Sequence, residues 1–173
     1  VTSLYPSLML AGPIAPASDA LGVFAELLRH LYQFRVRAKR LARNSDDARE
    51  RAHLLALQQS FKILINAFYG YLAFSSGHWN DFDAANRVTA EGRAVVTALL
   101  ERLAGIGATP VEADTDGVYF VPPPGHIPAG DEALLERIAE GLPPGLQLEL
   151  DGRYPAMFSY KMKTYALLDE RGR

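Results

Sequence analysis

The sequence contains no cysteine in its 173 residues, which excludes disulfide cross-links and thiolate metal centres and is compatible with a reducing compartment. No stretch reaches the roughly 18 uncharged apolar residues of a spanning helix, so no membrane partner is expected. Residues 1–15 are apolar but lack the basic start of a secretory leader, which argues against export and for the cytoplasm, nucleoid-associated, or a nucleus. Repeats and low-complexity tracts are missing as well. Net charge is small, -2 overall, but it is unevenly spread. Between Arg29 and Lys62, nine Lys or Arg stand against three acidic residues, Asp46, Asp47 and Glu50. A basic segment inside a neutral to acidic chain points to a local anion site rather than general avidity for nucleic acid. The remaining composition, 49% hydrophobic and 22% charged, is that of a globular domain of ordinary size.

Hydrophobic periodicity divides the chain. "SLYPSLML" reads as a strand that turns at Pro6, and "AGPIAPAS" reads as loop. A strand beginning at residue 1 with no lead-in predicts a segment cut from a longer protein. Helical spacing starts near Ala20, with Ser18 or Asp19 as cap, and runs to Asn44. Its apolar stripe is Leu21, Phe24, Leu27, Leu28, Leu31 and Phe34. A second helix is predicted from about Asp47 to Phe68, with Leu54, Leu55, Leu57, Phe61 and Leu64 on its buried side and Tyr69-Gly70 ending it. Each helix is about 30 Å long at 1.5 Å per residue. The short link at 44–46 folds them back as an antiparallel pair.

A third helix, capped by Asp81 or Asp83, extends to about Ala104. Beyond Gly105 and Gly107 the period falls to two. "ATPVEAD" and "GVYFVP" then flank "DTDG" as a β-hairpin. A short helix over 131–141 follows the "PPPGHIPAG" loop. "LQLELDG", "YPAMFSY" and "MKTYALLD" read as short antiparallel strands. The predicted class is α+β: a small antiparallel sheet with packed helices and one long antiparallel helical hairpin.

Four clusters carry possible chemistry. Asp114 and Asp116 flank the hairpin turn; such residues often only bond their own backbone, but carboxylates at a strand end also suit Mg²⁺. Two ions clamping attacking and leaving oxygens serve phosphoryl transfer, and a further acidic residue would have to come from another strand. In "QSFKILINAFYG", Lys62, Asn66, Tyr69 and Gly70 fall on one helical face. They offer a point charge for phosphate, a two-sided hydrogen bond, a flat ring, and space beside it. Arg35 and Lys39 share the same spacing on the first helix, and three cations converging there would favour a polyphosphate. A solvated helical face is the plainer account of the same charges. Finally, Lys161, Lys163 and Tyr165 alternate along a predicted strand and so share a face, suited to a nucleic-acid backbone or owed to chance.

Taken together, these segments resemble the palm and fingers of a family B DNA polymerase. "SLYPS" resembles motif A, D-x-x-SLYPS, whose Asp would immediately precede Val1. "KILINAFYG" resembles motif B, K-x-x-x-N-S-x-Y-G, with Ala67 in place of Ser. "ADTDG" resembles motif C, usually DTDS, with Gly117 in place of Ser, and "KTY" at 163–165 resembles the K-x-Y motif. The order and spacing agree across nearly the whole chain.

The resemblance implies palm over 1–19 and 71–173 and fingers over 20–70. It implies template-directed DNA synthesis by nucleotidyl transfer in the intact enzyme, with two Mg²⁺ ions, a deoxynucleoside triphosphate and primer–template DNA as partners. Asp116 would be the principal metal ligand and Asp114 the accessory carboxylate. Tyr5 would lie under the incoming sugar and block a 2′-hydroxyl. Arg35, Lys39 and Lys62 would hold the triphosphate, Asn66 would lie close to it, and Tyr69 and Gly70 would face the nascent base pair. Lys161, Lys163 and Tyr165 would touch the primer duplex. An exonuclease or other N-terminal region and a thumb would be supplied by the rest of the parent, so the isolated segment is expected to be inactive. The alternative is a non-catalytic DNA-binding or structural module of a degenerate polymerase, distinguished by whether the residue before Val1 is Asp.

Overall fold

The computed structural model describes residues 1–12, 14–161 and 163–169. The elements are α1 (Leu4–Ala11), α2 (Val23–Asn44), α3 (Ala48–Leu72), α4 (Phe82–Gly105), β1 (Thr109–Asp114), β2 (Gly117–Val121), a 3-10 turn (Pro128–Gly130), α5 (Asp131–Ala139), β3 (Ala156–Lys161) and β4 (Thr164–Leu168). They form two compact units, one spanning Ser3–Gly92 and the other comprising Val1–Thr2 and the chain from Arg93 onward.

In the first unit the predicted opening strand is instead the helix α1. Pro6 does not break it, because it occupies the first turn, where a backbone N–H has no intrahelical acceptor to lose. The first helical bond runs from Ser7 N–H to Ser3 C=O at 2.9 Å. Leu4, Leu8 and Met9 are then buried along one side.

Helices α2 and α3 form the expected hairpin. Phe24, near the start of α2, meets Phe68, near the end of α3, with ring centroids 4.9 Å apart. Nearer the tip, Phe34 stacks on Phe61 at 5.8 Å. The crossed order of these pairs establishes the antiparallel sense. α2 begins at Val23 with Gly22 at its N-cap, later than the Ala20 expected, although the Asp19 carboxylate accepts from the Val23 and Phe24 amides at 2.9 and 2.8 Å. Asp47 caps α3, accepting from the Arg49 amide at 2.8 Å. Tyr69-Gly70 does not end α3, which continues to Leu72.

The core lies at the base of the hairpin. Met9, Ile14, Phe24, Leu28, Ile65, Leu72, Ala84, Ala85 and Val88 form one buried cluster, flanked by Trp79 and Phe68. Burying each large side chain contributes about 1.5–3 kcal/mol. The predicted stripes are only partly covered: Leu21 precedes α2 and is exposed, and Leu27, Phe34, Leu55, Leu57 and Leu64 also remain exposed. A pair of helices has one mutual seam, too narrow to cover every apolar residue of both.

In the second unit β1 and β2 pair antiparallel, with Asp114 opposite Gly117 and Glu112 opposite Tyr119. Helix α5 is shorter than expected, ending at Ala139, and buries Leu134 and Ile138 one turn apart. β3 and β4 form a second antiparallel pair. "LQLELDG" forms no strand; alternating leucines satisfy a strand pattern, but no partner edge pairs with them. Met162 of "MKTYALLD" lies outside the described residues.

Asp81 is a junction of the first unit. Its side chain accepts from the Ala84 amide at 2.9 Å and from the Ala17 amide at 2.8 Å, while its own amide donates to the Leu72 carbonyl at 2.9 Å. These backbone donors hold its carboxyl below the usual carboxylate range, Ala84 contributing most. We expect Asp81→Ala to cost about 1–2 kcal/mol, the upper part of the range for losing a helix cap. Urea denaturation checks this. Because folding depresses the carboxyl pKa, the contribution is full above the unfolded value of about 3.9 and is lost as pH falls through the folded value.

Candidate functional site

The residues singled out from sequence fall into two groups, one in each unit. In the first, α2 and α3 both reach the opening turn of α1. Arg35 of α2 donates to the Ser3 hydroxyl. Ser3 stands at φ 51°, ψ 51°, a left-handed conformation that is uncommon for a residue with a Cβ. From α3, the Tyr69 ring lies 4.7 Å from that of Tyr5. Arg35 and Tyr69 therefore mark the hairpin side that faces α1. Helical spacing extends this side to Lys39 on α2 and to Asn66 and Lys62 on α3. Lys62 and Asn66 are exposed, while Arg35 and Lys39 are half-buried.

Two details bear on ligand chemistry. The Arg35 Nε is buried without a hydrogen-bond partner, an arrangement that costs free energy unless an acceptor reaches it. Gly70 sits within α3, where glycine is less favourable than alanine by about 1 kcal/mol. A Cβ there would meet nothing within 4 Å, so packing inside this chain does not explain the glycine.

In the second unit Asp114 and Asp116 differ sharply. Asp114 ends β1 and its Oδ1 accepts from Lys163 Nζ at 3.1 Å and from the Thr115 hydroxyl at 3.0 Å. Lys163 also donates to Thr115 Oγ1 at 3.2 Å. These hydrogen bonds, that from Lys163 foremost, hold the Asp114 carboxyl below the usual range. Asp116 lies in the two-residue turn with its side chain exposed, and its carbonyl accepts from the Val1 amino group. Burial pushes that amino group's pKa down, while the Asp116 and Glu149 carboxylates act in the opposite sense. Among the described residues, no three His, Asp or Glu side chains gather as a metal site.

The K-x-Y segment is corrected by the structure. Lys161, Lys163 and Tyr165 do not alternate on one strand face, because the chain reverses between β3 and β4. Lys161 pairs with Thr164 across that reversal, and Lys163 occupies it at φ 61°. Lys161 is exposed, Lys163 is held by Asp114, and Tyr165 is half-buried. Tyr165 meets Tyr119 of β2 with centroids 5.3 Å apart and hydroxyls 3.4 Å apart. The Tyr119 hydroxyl is pushed up to about 12, first by that bond and then by burial. Ser159 donates to Glu112 at 3.1 Å. Glu112, Asp114 and Tyr119 thus form one face of the first hairpin, against which the second lies.

Sequence reasoning passed over Ser3, Glu112, Thr115 and Tyr119. The period-two spacing of Glu112 and Asp114 was a usable signal for a shared face. Ser3 gave none, since its role depends on Arg35, 32 residues away.

The model for DNA polymerase family B matches residues 13–112, more than half of the chain. The chain belongs to DNA polymerase family B. This family B chain is 30% identical to DNA polymerase 1 of Pyrococcus abyssi, over 99% of its own length and 25% of that protein. It is likewise 30% identical to a DNA polymerase of Archaeoglobus fulgidus, over 99% and 24%. It therefore spans about a quarter of the length of the curated relatives it matches. Its α+β fold, with antiparallel strand pairs and packed helices, is similar to a solved family B DNA polymerase of Pyrobaculum calidifontis. That likeness has a TM-score of 0.75 at 24% identity, covering 99% of this chain and 25% of the other. Among the described residues no helix is long and apolar enough to cross a membrane.

Two expectations follow for this family B chain. Replacing Lys163 by Met should return the Asp114 carboxyl toward the ordinary value of about 3.9, as followed by carboxyl NMR titration; an unmoved Asp114 would show that Lys163 is not its main partner. Tyr165→Phe should lower the Tyr119 pKa from about 12 toward about 10, read by alkaline absorbance titration. Since folding raises this pKa, the associated stability is full below about pH 10 and declines as pH rises toward the folded value.

Proposed function

We propose that this chain forms the palm (1–19 and 71–173) and fingers (20–70) of a DNA-directed DNA polymerase. In the reaction, the primer 3′-hydroxyl oxygen bonds to the α-phosphorus of a deoxynucleoside triphosphate, its proton passes to water, the bond from α-phosphorus to its bridging oxygen breaks, and pyrophosphate leaves. The observation that carries this reading is the convergence of α2 and α3 on the first turn of α1, Arg35 on Ser3 and Tyr69 on Tyr5. It supports a pocket floored by Tyr5, with basic residues along one side.

Within it, Arg35, Lys39 and Lys62 bind the triphosphate, and the unpartnered Arg35 Nε is a donor available to a phosphate oxygen. Such fixed donors stabilise negative charge as it shifts toward the leaving pyrophosphate. Asn66 bonds the same nucleotide, Tyr5 lies beneath the sugar, and Tyr69 with Gly70 borders the nascent base pair. Lys163 and Tyr165 hold the primer end beside Asp114, with Lys161 reaching the duplex. The oxygen donors of Asp116 and Asp114 suit Mg²⁺ in kind, although Lys163 occupies one Asp114 oxygen. Mg²⁺ held there would lower the pKa of the attacking hydroxyl and offset the charge on the leaving phosphates. Asp116 is the ligand this chain offers most openly, and a carboxylate preceding Val1 would complete the set.

The pairing of Asp114 with Lys163 also favours a second reading, a non-catalytic DNA-binding or structural module. Primer extension by the full-length protein separates the two. Asp116→Ala should abolish extension while circular dichroism stays unchanged; full activity in that variant, or none in the wild type, would remove the polymerase reading. The isolated 173-residue chain should not extend a primer. Gly70→Ala should stabilise the protein by about 0.5–1 kcal/mol yet lower extension, since the added methyl meets nothing except a bound substrate.

A further inference from the structure

Gly92 interrupts the buried face of α4. Ala84, Ala85, Val88, Val95, Leu99 and Leu103 are all buried along that helix, and Gly92 is buried among them without a side chain. Glycine in a helix interior is less favourable than alanine, so its presence calls for a contact that alanine would forbid. The structure supplies one. A Cβ at position 92 would stand 2.8 Å from Tyr5 Cε1, 3.4 Å from Tyr5 Cδ1 and 3.7 Å from Leu4 Cδ2. Carbon atoms in contact are normally about 3.5–4.0 Å apart. The edge of the Tyr5 ring thus occupies the space of the missing methyl.

Tyr69 lies against the same ring, with centroids 4.7 Å apart and the planes at 56°. Gly92 and Tyr69 together restrict where Tyr5 can stand. The α1 backbone has little freedom to yield, because Leu4, Leu8 and Met9 anchor it in the interior. A methyl at position 92 must therefore be accommodated by rotation of the Tyr5 ring.

We infer that Gly92 is a positioning residue for sugar selection: it sets the depth of the Tyr5 ring, and through Tyr5 the discrimination between deoxyribose and ribose. This rests on the proposed role of Tyr5 beneath the incoming sugar. A ring displaced by a fraction of an ångström no longer bars a 2′-hydroxyl in register. Misplacement by about 1 Å can change rates by about a hundredfold, so about a tenfold loss of discrimination is expected from the smaller shift.

The test is a double-mutant cycle in the full-length protein: wild type, Gly92→Ala, Tyr5→Ala and both together. Two readouts are taken, urea stability without nucleotide and the ratio of kcat/KM for dCTP over CTP. Gly92→Ala should destabilise only while Tyr5 is present and lower the ratio about tenfold, with no further loss in the Tyr5→Ala background. If Gly92→Ala fails to fold, recovery of folding in the double variant supports the contact, and lack of recovery overturns it. Additive stability effects overturn the inference outright. So does a Tyr5→Ala variant that loses discrimination while Gly92→Ala keeps it, which leaves the role of Tyr5 intact. Coupled stability with an unchanged ratio in Tyr5→Ala removes Tyr5 from sugar selection, and the selectivity role of Gly92 with it.

Discussion

Two long helices joined by a short link share only one seam, and here its bulkiest buried contact lies at one end. Phe24 against Phe68, with Trp79 at the edge of Phe24, joins α2 and α3 to the buried cluster that also takes in α1 and α4. Loss of so large a ring from a packed core costs about 3–5 kcal/mol, a large share of a domain's net stability. Toward the tip the seam narrows to the small Ala38 and Ala42 and the Phe34–Phe61 stack, while Leu55 stays exposed. The geometry there is therefore inherited from the base. This arrangement lets basic side chains occupy an open helical surface while their backbone direction is set elsewhere.

The second unit depends on electrostatics to a greater degree. Lys163 lies 48 positions beyond Thr115, yet its bonds to Thr115 and Asp114 bring the ends of two hairpins together. Exposed ion pairs contribute little stability, so their value here is directional. They keep one carboxylate ionised and orient one lysine. The Tyr119–Tyr165 pair adds a second, uncharged tie beside it.

Legibility in the sequence followed physical locality. The extents of α2, α3 and α4 could be read closely, because apolar spacing and capping by Asp47 and Asp81 act within a turn or two. The hairpin around "DTDG" was legible for the same reason. α1 reads from sequence as a strand turning at Pro6, because proline ordinarily excludes a helix, whereas its place in a first turn is compatible with one. "LQLELDG" failed for the opposite reason: alternation is necessary for a half-buried strand but does not provide a neighbour to pair with. The candidate residues could be picked out by type, but their partners could not. Nothing near Asp114 foretells Lys163, and nothing near Tyr5 foretells Gly92, since both contacts are made by distant segments.

The left-handed backbone at Lys163 has a consequence for how this position can change. Selection for folding alone would favour glycine or asparagine there, since either adopts that conformation more readily. Selection for a cation beside Asp114 favours lysine. The two pressures point to different residues at one site. Drift toward glycine would ease the reversal while stripping the charge, leaving a sounder hairpin with a mute carboxylate.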